Sequence, residues 1–274
     1  MKFGAIVLMM TMAGVCGVGG AQELRVLTYN IHHGEGMDER LDLDRIVRVI
    51  QSEKPDIVCL QEIDRNLPRT DHLDFPALLS RKLGMTAVFE PNYRFDGGEY
   101  GNATLTSLKV LSHENHPLPN PKNREPRGCL RVTVEFHGRE IEVWNTHLGL
   151  DAEERAAQGR AILDLKPAPP CILAGDMNED TSGQGMRTLL SRFKNALATI
   201  PGKRKQIDYV LVSEDVHVLS SRILDTPEAR AASDHLPCLA VLEINPPPAP
   251  GRGGAITTRR SAQGVRSWRS RASD

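Results

Sequence analysis

Hydrophobic and polar positions along the chain follow two periods. Residues 24–31, 56–61, 86–90, 102–107, 110–112, 171–174, 207–212, 216–219 and 237–244 are short apolar or alternating runs bounded by turn residues, and each predicts a strand. Residues 130–136 and 140–146 alternate around His137-Gly138 and predict a hairpin. A 3.6-residue period enters at Leu43, Ile46, Val47 and Ile50, which share one helical face that Pro55 closes. Two more helices are predicted over residues 75–83, ending at Gly84, and over 153–165. Many strands with helices between and outside them predict an α+β layered sandwich without internal repeats.

The two ends break this pattern. Lys2 is followed by an apolar run over residues 5–18 and by Gly19, Gly20 and Ala21, which reads as a signal peptide, residues 1–21, cleaved near Ala21. The protein is therefore expected to be secreted or periplasmic. The run is too short to span a bilayer, so no transmembrane segment is expected. Ala13-Gly14-Val15 before Cys16 is a poor lipidation site. Residues 246–274 open with Pro246-Pro247-Pro248 and hold six arginines with almost no apolar periodicity, as a disordered Pro/Arg-rich tail does.

With 40% hydrophobic and 25% charged residues the chain as a whole has ordinary globular composition, and residues 22–245 are expected to be a single domain and a monomer. The net charge of −1 conceals −7 over residues 22–245. An acidic body argues against broad phosphate-backbone binding and suits carboxylates gathered around divalent cations. Cys59, Cys129, Cys171 and Cys238 each fall in a predicted strand without ligand spacing, as buried free thiols do.

Polar residues recur where apolar strands stop. VLTYN ends at Asn30, DIVCLQE at Glu62, EVWNTH at Asn145 and His147, and ILAGDMN at Asp176 and Asn178; QIDYV carries Asp208, and SDH gives Asp234 and His235. One such residue is ordinarily a cap or turn. A whole ordered series at buried strand ends suggests a shared site, because each group needs a hydrogen bond or a metal there.

In this order and spacing, TYNIHHG, LQEID, NTHLG, GDMN, IDYVLV and SDHLP resemble the endonuclease/exonuclease/phosphatase superfamily over residues 24–244. The resemblance implies a four-layered αββα sandwich of the deoxyribonuclease I type and Mg²⁺-dependent phosphoester hydrolysis, with Mn²⁺ as a substitute. It makes Glu62 the principal metal ligand, helped by Asn30 and completed by Asp234. Asp176 orients or deprotonates the attacking water, Asn178 donates to the phosphoryl oxygens, and Asp208 holds His235 against the phosphate. The resemblance also implies that His147 pairs with Glu90 to protonate the leaving oxygen. Asn102, Asn145 and Arg127 are its substrate-binding residues. YGNATLTS departs from the family's YGNAILSR, lacking its arginine.

Other residues read more plainly. His32 and His33 are rim loop residues, His72, His113, His116, His137 and His217 face solvent, and Trp144 belongs to the core. Nucleic acid, phospholipid headgroup and small phosphorylated metabolite all suit the same centre as partners, with Lys203-Arg204-Lys205 a local basic cluster. The rival class is a catalytically silent binding module, which the presence of Glu62, Asp176, Asp208 and His235 argues against.

Overall fold

The computed structural model describes residues 22–197 and 206–245. The expected leader at 1–21, the expected tail at 246–274 and the 203–205 cluster lie outside the described residues. Among the described residues twelve strands run in chain order: β1 Gln22–Asn30, β2 Ile57–Arg65, β3 Thr86–Phe95, β4 Gly98–Thr106, β5 Lys109–Pro117, β6 Gly128–Phe136, β7 Arg139–His147, β8 Cys171–Asp176, β9 Lys194–Asn195, β10 Asp208–Val212, β11 Val216–Ile223 and β12 Cys238–Ile244. Five helices join them: α1 Leu43–Glu53, α2 Phe75–Leu83, α3 Ala152–Asp164, α4 Gln184–Leu190 and α5 Pro227–Ala232. The strands build two six-stranded mixed sheets, ordered β11-β12-β1-β2-β4-β3 and β5-β6-β7-β8-β10-β9.

Local chemistry sets the helix ends. Asp42, Asp74 and Asp151 cap α1, α2 and α3 by accepting from backbone N–H groups in the first turn. Lys54 and Gly84 close α1 and α2 in the left-handed conformation. Thr226 and Pro227 start α5. This short helix, like α4, carries too few apolar positions to be legible as a period.

Three apolar layers confirm the sandwich. Leu24, Val26, Ile57 and Cys59 of the first sheet meet Val132, Val143, Ile172 and Val210 of the second. On the outer face of the first sheet, Tyr29, Leu60 and Leu239 pack against Ile46 and Ile50 of α1, Leu79 of α2 and Ala229 of α5. Trp144, Leu173 and Tyr209 pack against Ile162 of α3 and Met186 and Leu189 of α4 on the other outer face. Cys59, Cys129, Cys171 and Cys238 are buried free thiols.

Two parallel strand pairs position the polar strand ends. β1 lies parallel to β2 with Asn30 opposite Gln61, and β7 lies parallel to β8 with His147 opposite Asp176. Antiparallel β10 places Asp208 opposite Asp176 from the other side. The polar residues thus gather at one edge, where the carboxyl ends of both parallel pairs face each other across the sandwich.

Candidate active site

Backbone geometry aims two of the carboxylates. The pairing of β2 with β4 shifts register between Leu60 and Ile63, and within this bulge Glu62 adopts φ +61°. A bulge that turns a non-glycine residue into the left-handed region redirects its side chain, here into the edge cleft. Asp176 follows Gly175, whose φ is +148° and whose missing Cβ lets β8 pass against the Thr146 carbonyl of β7. Next, the Asn178 N–H donates to Asp176 Oδ1 at 2.8 Å, fixing the carboxylate.

Asp176, 1% exposed, is the hub. Its Oδ2 accepts from Asn30 Nδ2 at 3.2 Å and stands 3.4 Å from His147 Nε2 and 3.6 Å from His235 Nε2. Burial and the neighbouring Asp208 carboxylate raise the Asp176 pKa to about 7. Asn30 Nδ2 also donates to Glu62 Oε1 at 2.9 Å, while Asn30 Oδ1 accepts from the His32 N–H. Asn30 is therefore a strut between two carboxylates, and its Oδ1 keeps one lone pair beyond the His32 bond. For Glu62 itself, burial alone would raise the pKa; the His33 ring, the charge that His147 would carry if protonated and the Asn30 amide oppose it and lower the value. Of these the Asn30 bond is the firmest, since His33 Nδ1 lies 3.9 Å away and His147 is neutral.

The two histidines are set differently. His235 Nδ1 donates to Asp208 Oδ2 at 2.8 Å. Burial opposes its charge, but the Asp208 hydrogen bond and the charges of Asp208, Asp176 and Asp234 raise its pKa to about 9, so it is an imidazolium at neutral pH. His147 is 5% exposed, and burial together with the Arg127 charge pushes its pKa well below 6.5. Arg127 Nη1 lies 2.7 Å from His147 Nδ1. A guanidinium only donates, so Nδ1 is the acceptor and the proton sits on Nε2, facing Asp176.

These groups line a cleft of about 460 Å³ that Glu62, Asp176, Asn178, Asp234, His147, His235 and Arg127 all enter. His32 and His33 enter it too, as does Tyr100 of the YGNATLTS segment, together with Arg69 and Glu125, which motif spacing does not reveal. Arg127 also pairs with Glu125 at 2.8 Å. Asn178 Nδ2 donates to the Leu148 carbonyl.

Three expected site residues stand elsewhere. Glu90 belongs to edge strand β3, two strands from β2, and pairs with His113 of β5 at 3.4 Å; His147 is met by Arg127 instead. Asn145 is fully buried between the sheets, donating to the Leu60 and Ala103 carbonyls and accepting from Gln61 Nε2. Asn102 is likewise buried and donates to the Gly128 carbonyl. Both asparagines lie behind the cleft because inward-facing strand positions one step from its rim point into the seam. His116 is also no solvent-facing residue, being half-buried with its ring 6.5 Å from that of Trp144.

Among the described residues, Asp176, Asp208 and His235 form the group of metal-capable side chains whose ligand atoms lie within 4.8 Å of one another. A sequence profile of the Endonuclease/Exonuclease/phosphatase family matches residues 27–235. The chain belongs to this family. Its members are hydrolases, nucleases and phosphatases among them, and are typically dependent on a divalent metal. An endonuclease/exonuclease/phosphatase from Beutenbergia cavernae DSM 12333 is similar at 26% identity, with a TM-score of 0.71 over 82% of this chain and 72% of that one. The human Nocturnin catalytic domain, 24% identical, shares the fold with a TM-score of 0.67, covering 81% of this chain and 94% of its own. So does a mannosyl-6-phosphatase from Bacteroides thetaiotaomicron VPI-5482, at 18% identity and TM-score 0.63, covering 80% of this chain and 99% of its own. No curated protein matches the sequence. No helix among the described residues is long and apolar enough to cross a membrane.

Proposed function

We propose that this family member is an exported Mg²⁺-dependent phosphoesterase in which Asp176 directs a water at phosphorus. The supporting observation is the convergence of Asn30, His147 and His235 on Asp176 Oδ2 within 3.2–3.6 Å, inside the cleft that Glu62 and Asp234 share. A phosphoester anion repels hydroxide, so hydrolysis needs charge neutralisation, an oriented water and a stabilised leaving oxygen.

The residues present fit a hard cation. Glu62 and Asp234 bring carboxylate oxygens to the cleft, and Glu62 is ionised at any physiological pH. Mg²⁺ takes few protein oxygens and keeps several waters, which this open cleft can hold. The tighter group around His235 suits it less, because its imidazole already donates to Asp208. We therefore assign the metal to Glu62 and Asp234, with Asn30 holding Glu62 in place. When bound, the cation supplies Lewis-acid neutralisation of the phosphoryl oxygens.

The chain's own groups do the rest. Asp176, with its pKa near neutrality, accepts the water proton at Oδ2 while the Asn178 N–H holds Oδ1. The His235 imidazolium, kept charged by Asp208, draws the phosphate in. Neutral His147 donates from Nε2 to a phosphoryl or leaving oxygen, its tautomer imposed by Arg127. Asn178, at the cleft wall, orients the phosphate.

Hydrolysis of p-nitrophenyl phosphate and bis-p-nitrophenyl phosphate tests this reading. EDTA should abolish turnover, Mg²⁺ or Mn²⁺ should restore it, and Asp176→Asn should lower kcat by about 10²–10⁴-fold with little change in KM. Metal-independent turnover, or a loss confined to KM, would refute the assignment. Export rests on Lys2 and the apolar run behind it; N-terminal sequencing of the mature protein should begin after Ala21, and retention of Met1 would refute it.

A further inference from the structure

The cleft holds a second arginine for which the hydrolytic chemistry has no use. Arg69 lines it at 40% side-chain exposure, and its Nε and Nη2 each donate to Asp64 at 2.7 Å. Asp64 is fully buried and also accepts from Thr70 Oγ1. The Arg69 guanidinium carbon lies 5.7 Å from the centre of the Phe95 ring and 5.4 Å from that of Tyr100. A buried carboxylate and two aromatic rings thus fix a side chain that is ordinarily flexible, so little rotamer freedom is left to lose on binding. Asp64 occupies the Nε edge of the guanidinium. The end-on edge carrying Nη1 remains for an anion, in the fork geometry that matches two oxygens of a phosphate or carboxylate.

Arg69 shares the cleft with Glu62 and Glu125 and feels both charges, but its ion-pair partner differs from those of Arg127. Arg127 is engaged with His147 and Glu125, whereas the ion pair of Arg69 is with Asp64 beneath it. Phe95 borders both this cleft and an adjoining groove of about 730 Å³, in which Arg65 and Arg94 both pair with Glu99. Arg69 therefore marks the side of the cleft that opens toward that groove. The charge pairing there, and the −7 carried by residues 22–245, disfavour a polyanion and suit a small polar molecule.

We propose that Arg69, framed by Phe95 and Tyr100, binds a second oxyanion of the substrate on the side of the adjoining groove, making the natural substrate a small phosphoester that carries a further phosphate or carboxylate. This rests on the reading of the centre as a phosphoesterase.

Calorimetric binding to the full chain in Mg²⁺ tests it without requiring turnover. The probes are alkyl phosphates, alkanediol bisphosphates and phosphooxyalkanoates of matched length, about three to six carbons. At least one doubly anionic probe should bind about ten- to hundredfold more tightly than its alkyl phosphate, as a charge-assisted fork allows. The stronger of the bisphosphate and carboxylate arms identifies the second group. Because Arg69→Met alone would leave Asp64 buried and unpaired, the decisive variant is Asp64→Asn/Arg69→Met, with its thermal melt recorded alongside. It should lose the preference while keeping alkyl phosphate affinity within about threefold.

No preference in the wild type, or a preference that survives in the folded double variant, overturns the proposal. Equal loss for all probes would put Arg69 on the scissile phosphate and overturn it too. Tighter binding of 5′-phosphorylated tetrathymidylate than of any small probe would overturn it in favour of a nucleic acid. Failure of metal-dependent hydrolysis in the wild type is a separate result, which removes the activity and leaves the binding comparison to stand or fall by itself.

Discussion

Replacing Asn145 by alanine separates a structural from a binding role at a position whose motif suggests the latter. Its side chain makes three hydrogen bonds across the seam, donating to Leu60 O at 3.0 Å and Ala103 O at 2.9 Å and accepting from Gln61 Nε2 at 2.7 Å. Gln61 keeps Thr28 Oγ1 and the Cys59 carbonyl as partners, so most of the loss falls on the two carbonyls. A buried polar group left without a partner costs about 1–3 kcal/mol, and truncation also opens a small void, so the substitution should destabilise by about 3–5 kcal/mol. For a domain of this size each kcal/mol lowers Tm by about 2–4 °C, giving a fall of about 6–20 °C. Circular-dichroism melts measure it, and steady-state kinetics well below the melt should find KM for p-nitrophenyl phosphate within about threefold of wild type. An unchanged Tm together with a tenfold rise in KM would refute this reasoning and return Asn145 to the substrate.

The site yields two further expected outcomes. Asp208 holds the His235 pKa up near 9, so activity that needs the imidazolium is present below that pH and lost as pH rises through it; in Asp208→Asn the alkaline limb of kcat/KM should move down toward 6.5, and an unmoved limb would exclude the pairing from the mechanism. Because Glu90 pairs with His113, Glu90→Ala should leave kcat within about twofold, whereas a loss comparable with that in His147→Ala would restore the expected dyad.

Much of this architecture was legible in the chain, and the physical reasons are specific. Period and stop signals placed α1 and α2 to within a few residues, because each buries an apolar stripe that ends at Pro55 or Gly84, whereas α3, placed equally well, buries Glu154, Gln158 and Gly159 beside Ile162. The short helices α4 and α5 escaped detection, since one or two turns carry too few positions to define a period. At the site, the motifs located Glu62, Asp176, Asp208 and His235 because each borders a buried apolar run: Asp176 closes β8, Asp208 opens β10, His235 precedes β12 and Glu62 follows the apolar half of β2. They could not distinguish Asn145 from His147, two residues along the same strand, since only the depth of the cleft decides which of two inward positions meets solvent. Glu90 failed as a partner because strand order, which no local pattern encodes, puts β3 at the sheet edge. Arg69 and Glu125 sit in irregular segments whose place at the cleft depends on long-range packing.

The strut made by Asn30 joins groups that belong to different sheets. Glu62 comes from the first, Asp176 from the second, and a single amide within 3.2 Å of both keeps them in register. Neither sheet alone owns a complete centre. The constellation exists only while the two slabs hold their alignment, so it acts as a vernier on the seam: a slip of about an ångström, too small to unfold anything, would pull the water-directing carboxylate away from the metal-side carboxylate. Residues lining the seam far from the cleft are thereby bound to the chemistry.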